Sequence, residues 1–105
     1  MAVSILSRDR LEELLGSRRD RILALGVKRL GLFGSFARDE SNPESDIDFL
    51  VEFESGQKNY ANFFALAELL EGTLQRRVEL VTRESLSPYI GPQILREVRD
   101  VPLRA

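Results

Sequence analysis

The chain has 105 residues, 43% of them apolar and 30% charged, with 15 Lys and Arg against 17 Asp and Glu and a net charge of −2. That length fits one compact domain over residues 1–105, and the near-balanced charge argues against direct nucleic-acid binding through a broad basic surface. There is no Cys and no His, which excludes disulfides, thiolate zinc sites, Cys nucleophiles and the commonest general base, and leaves oxygen ligands of the kind that suit magnesium or manganese.

The opening MAVSILSRDR has no apolar stretch of signal-peptide length. No later run approaches the ~20 apolar residues that span a bilayer, so a cytoplasmic protein without membrane contact is expected. Ser7 can cap a helix over 8–15, with Leu11, Leu14 and Leu15 on one face. A second helix over 18–25 turns Ile22 and Leu25 inward and stops at Gly26. Residues 27–33 (VKRLGLF) read as a strand, although regular alternation would put Val27 on the face opposite Leu30 and Leu32.

Gly34-Ser35 breaks that strand and opens a short helix through Arg38. Residues 39–45 (DESNPES) carry turn chemistry, and 46–53 (DIDFLVEF) form the clearest strand. In it, Ile47, Phe49, Val51 and Phe53 alternate with Asp46, Asp48, Leu50 and Glu52. After a polar loop, helical spacing of Phe63, Leu66, Ala67 and Leu70 marks a helix over 59–74, with Phe63 and Phe64 expected in the core or one of the two exposed at an interface. Residues 77–82 (RVELVT) are a third strand, Ser87-Pro88 starts a short helical segment, and Pro92 starts a last helix through Val98. The fold class expected is α/β (α+β): a small mixed sheet with helices packed on it.

The chemistry concentrates in Gly34-Ser35, ten intervening residues, then Asp46-Ile47-Asp48. A Gly-Ser turn between strand and helix aims backbone N–H groups and a hydroxyl at one point, a cradle for phosphate. Carboxylates at i and i+2 on a strand share one face, so Asp46 and Asp48 repel each other unless a cation lies between them. Together they describe a metal-assisted phosphoryl- or nucleotidyl-transfer site. Glu79 can complete a three-carboxylate cluster if its strand pairs with that of Asp48. The plainer readings are a helix N-cap at Gly34-Ser35, a solvated edge-strand glutamate at Glu79, and an Arg38 that balances Asp39 and Glu40. Arg18, Arg19 and Arg21 read as a solvated helix face.

Residues 34–53 resemble the signature of the DNA polymerase beta-type nucleotidyltransferase superfamily. Its minimal branch is closest: short antitoxins found beside HEPN-domain toxins. The resemblance implies that Gly34, Ser35 and Arg38 bind nucleotide, with ATP as substrate. It implies that Asp46 and Asp48 hold Mg2+, and that Glu79 stands where the family's third carboxylate, often Asp, orients and deprotonates the attacking hydroxyl.

The function implied is transfer of AMP from ATP to a hydroxyl, foremost a tyrosine, of a partner HEPN-type toxin. Larger superfamily members hold their acceptor with an added domain, so a partner is expected to present it here. Two alternatives stand beside this one. The chain could neutralise the toxin by binding alone, or serve as the catalytic subunit of a small-molecule nucleotidyltransferase. Either assignment leaves room for a homo-oligomer.

Overall fold

The computed structural model describes residues 6–38, 40 and 44–103. Most of the turn expected over 39–45 therefore lies outside the described residues. Helix α1 (Arg8–Gly16) begins where the Ser7 side chain accepts from the Arg10 amide at 3.0 Å, and it buries Leu11 and Leu15 completely. Helix α2 (Arg19–Ala24) follows and buries Ile22. Strand β1 (Val27–Phe33) leads directly into the one-turn helix α3 (Gly34–Ala37).

Strand β2 (Ile47–Phe53) is followed by the long helix α4 (Tyr60–Leu74), capped by Asn59, whose side chain accepts from the Asn62 amide at 2.8 Å. The helix ends at Gln75 in the left-handed conformation, φ 54°, a conformation usually left to Gly. Strand β3 (Val78–Thr82), a short 3-10 turn, helix α5 (Gly91–Glu97) and strand β4 (Arg99–Asp100) complete the order.

The described strands form a mixed four-stranded sheet in the order β3-β2-β1-β4. Strand β1 pairs antiparallel with β2 and β4, and β2 pairs parallel with β3. The parallel pair needs a crossover, which α4 supplies. One sheet face, carrying Val27, Leu30, Leu32, Ile47, Phe49 and Val51, joins Leu11, Leu15, Ile22, Leu66 and Leu70 in a single core. Phe49, on β2, is the largest of its fully buried side chains. Truncating it to Ala would cost about 3–5 kcal/mol.

The irregular alternation of β1 has a local cause. The pairing shifts register between Val27 and Arg29, a bulge at Lys28 that leaves both Lys28 and Arg29 exposed. Val27 is thereby brought onto the same face as Leu30 and Leu32, reversing the placement that strict alternation predicts. Of Phe63 and Phe64, Phe64 is the exposed one. It is 57% exposed and stacks on Tyr60 at 5.9 Å, while Phe63 is half-buried. Strand β4 was not expected from its sequence. It is two exposed charged residues, placed beside β1 because Gly31 leaves room for Val98 and because the Val101 amide donates to the Leu30 carbonyl at 2.8 Å. No helix among the described residues is long and apolar enough to cross a membrane.

Candidate active site

The sheet face turned away from α1 and α4 carries the carboxylates. Alternation from buried Ile47 and Phe49 puts Asp48 on that face, and the parallel register sets Asp48 directly opposite Glu79. Their carboxyls share a hydrogen bond. On the other side of β2, Asp48 is paired with Phe33, the last residue of β1 before the Gly-Ser turn. The sheet itself therefore brings the turn, the central aspartate and the glutamate into one row.

Gly34 is required at the head of that row. Its φ is +72°, and a Cβ there would stand 3.1 Å from Asp48 Cγ and closer still to Oδ2. The backbone at Gly34 thus packs on the Asp48 carboxylate with no space for a side chain. Ser35 follows in α3, half-buried, its carbonyl accepting from the Glu40 amide at 2.8 Å. Helix α3 is held at its far end by Arg8, which donates to the Ala37 carbonyl at 3.1 Å.

The Asp48 carboxyl is pushed up to about 6. Burial is the main cause, followed by the hydrogen bond to Glu79, the charge of Glu79 and the charge of Asp46, with Arg38 opposing them. A half-buried acid beside a second carboxyl resists ionising, because two negative charges in one place have little water to screen them. Without a cation, a proton held between the two groups relieves their repulsion. This oxygen-only, charge-crowded donor set suits a hard divalent cation such as magnesium.

Asp46 sits at the edge of the site. It lies just ahead of β2, is exposed, and has Arg77 Nε at 3.9 Å from its Oδ1. Its charge reaches Asp48. Among the described residues, no three Asp or Glu side chains are gathered into a ready-made metal cage. The structure thus brings Asp48, Glu79 and Gly34 together and leaves Asp46 one step outward, facing Arg77.

Arg38 is exposed and doubly engaged. Its Nη1 donates to Glu97 at 2.7 Å and its Nε to Glu40 at 3.2 Å, and both acids hold the guanidinium above its ordinary pKa. It therefore ties the end of α3 to α5 while lending positive charge to Asp48. Of the two acids expected to balance it, Glu40 does so, and Asp39 lies outside the described residues.

Sequence reasoning missed Arg76. Its Nη2 donates to the Ser45 carbonyl at 2.5 Å, and its guanidinium lies over the Phe36 ring, 5.4 Å from the centroid. Nothing in the local sequence pairs it with either residue, since both partners lie at least 31 positions away.

A profile for the nucleotidyltransferase domain matches residues 11–101. The protein adenylyltransferase MntA of Thermococcus cleftensis is 36% identical over 97 residues, spanning 91% of this chain and 97% of that relative. A solved minimal nucleotidyltransferase superposes with a TM-score of 0.71 at 36% identity, over 92% of this chain and 98% of that one. A more distant neighbour comes from the complex of a tri-AMPylated Shewanella oneidensis HEPN toxin with MNT antitoxin. It gives a TM-score of 0.55 at 22% identity, over 87% of this chain and 71% of that one, a likeness of fold.

Proposed function

Because this chain belongs to the nucleotidyltransferase domain family, we propose that it is a magnesium-dependent protein adenylyltransferase. It moves AMP from ATP to a tyrosine hydroxyl of a HEPN-type toxin and acts as that toxin's antitoxin. The observation that carries this reading is the row Gly34, Asp48, Glu79: a side-chain-free backbone packed on one carboxylate that shares a hydrogen bond with a second. The acceptor and the antitoxin role are supported by the adenylyltransferase name of the Thermococcus relative and by the AMPylated HEPN toxin bound in the Shewanella complex.

In the transfer, the tyrosine oxygen attacks the α-phosphorus of ATP. A new O–P bond forms, the bond from the α-phosphorus to the bridging oxygen breaks, and pyrophosphate leaves. Gly34 and Ser35 receive the triphosphate at the start of α3. The hydroxyl proton passes to Glu79, which stands across the strand pair from Asp48. Asp48 and Glu79, with Asp46 beside them, would hold magnesium, which when bound neutralises phosphate charge and lowers the pKa of a coordinated hydroxyl.

The direct test is to incubate the protein with α-labelled ATP and magnesium, alone and with its co-encoded neighbour, and to locate adenylate by mass spectrometry. Label on a tyrosine of the neighbour is the expected result. Binding to the neighbour without label would make the antitoxin a masking protein, and label on a small molecule alone would reassign the acceptor.

A further inference from the structure

Arg76 touches both halves of the signature at once. It sits between Gln75, which ends α4 in the left-handed conformation, and β3, which carries Glu79. Its guanidinium covers the ring of Phe36, 2% exposed within α3, and its Nη2 holds the Ser45 carbonyl. Phe36 follows Gly34-Ser35 directly, and Ser45 immediately precedes Asp46.

The two halves are joined covalently by a ten-residue connection rich in Ser, Asn and Pro. Phe36 and Ala37 of that span belong to α3 itself, so contacts made to them from outside the span bear on the helix's angle against the entry to β2. Pairing of Phe33 with Asp48 anchors the start of α3. Arg76 acts further along, on the ring that fixes the helix's rotation and on the carbonyl that fixes the approach to Asp46. A planar guanidinium can do both, stacking through its face while donating through its edge. A lysine ammonium is a point charge and can satisfy one contact only.

We infer that Arg76 is a positioning residue for nucleotidyl transfer: by gripping Phe36 and the Ser45 carbonyl together, it sets the Gly34-Ser35 turn against the Asp46–Asp48 carboxylates. This rests on the assignment of those residues to the transfer site. Each half can still bind its own part of the nucleotide when the grip is lost. What suffers is their mutual placement, which matters most in the transition state, where a displacement of about 1 Å costs about 100-fold in rate.

The test compares Arg76→Ala, Arg76→Lys, Phe36→Leu and the double variant Arg76→Ala with Phe36→Leu, alongside Asp48→Asn. Each is assayed for label transfer, ATP affinity and stoichiometry by calorimetry, and thermal melting. Arg76→Ala should lower kcat by about 10- to 100-fold while ATP affinity moves by less than about threefold at unchanged stoichiometry. Arg76→Lys should recover part of the rate. The double variant should be no slower than Arg76→Ala, because both changes break one contact. Two results overturn the inference. One is a normal kcat in Arg76→Ala while Asp48→Asn is inactive. The other is a loss of kcat matched by an equal loss of ATP-binding stoichiometry, which marks unfolding alone. An active Asp48→Asn would instead remove the site assignment on which the inference stands.

Discussion

Asp48 and Glu79 face each other across the parallel pair β2–β3, one register step that places two carboxyls within a shared hydrogen bond. Asp48 is half-buried and Glu79 exposed, and burial together with the neighbouring carboxyls raises the Asp48 pKa. Keeping the two acids together is a strain that a bound cation would relieve.

That strain gives the metal-free protein a particular pH dependence. The folded-state pKa of Asp48, about 6, lies above the ordinary value of 3.8. Between those values the folded chain holds a proton that the unfolded chain has released. The stabilising proton is fully present below about pH 4 and lost as pH rises through 6. Asp48→Asn should therefore melt higher than the parent at pH 7.5, with the gap closing toward pH 4.5. Because Asp48 is only part-buried, solvent screening reduces the expected gain to about 1 kcal/mol, or about 4–8 °C. Melting curves in chelator at four pH values decide it, and a gap that widens on acidification contradicts the assigned cause.

Glu79→Gln separates the partners. It removes the charge that helps raise Asp48, so the acid limb of the kcat profile should move to lower pH. The rate should fall far more than ATP affinity does, since the carboxyl works at the attacking hydroxyl. Equal losses in both would confine Glu79 to holding metal. No change in either would make it an ordinary residue of an edge strand.

Gly34→Ala probes the other side of Asp48. The new Cβ meets the Asp48 carboxylate, and the backbone must hold φ +72° with a side chain attached. The variant should lose about 1–3 kcal/mol of stability and nearly all transfer. Gly56, also at positive φ but with open space around it, serves as the control. Its alanine variant carries the strain without the collision and should retain transfer.

Much of this was legible in the chain because its strongest signals are local. Apolar alternation around Asp48 reveals its face, and Gly34-Ser35 between strand and helix marks the turn. The pairing of Asp48 with Glu79 stays conditional in the sequence, because a helix between two strands allows them to pair in parallel without setting their register. What escaped is non-local. The bulge at Lys28 depends on how β1 meets β2, and β4 depends on the space over Gly31 and on backbone bonding at Leu30. The grip of Arg76 on Phe36 needs residues forty positions apart to meet. Phe64 falls outside the helical spacing of Phe63, Leu66, Ala67 and Leu70 and shares a face with exposed Glu68 and Glu71, where it stacks on Tyr60 and meets Phe63 edge-on.

The last prediction concerns the cation. If Asp48 and Glu79 hold magnesium, with Asp46 beside them, adding it should relieve the repulsion that raises the Asp48 pKa, and the folded protein should gain stability by mass action. At a concentration ten times the dissociation constant, the gain is about 1.4 kcal/mol. The proton and the cation compete for the same oxygens, so the gain should be largest near pH 7.5 and small at pH 5, where the folded Asp48 is mostly protonated. Asp48→Asn should abolish it. Asp46→Asn should weaken it less, because Asp46 stands outward, 3.9 Å from Arg77 Nε. The double variant of both aspartates should be fully inactive in transfer while melting no lower than the parent in chelator. Titrating magnesium into the apo protein, without nucleotide, and following the melting temperature provides a readout independent of catalysis. A magnesium shift that survives intact in Asp48→Asn would locate the cation elsewhere on the protein.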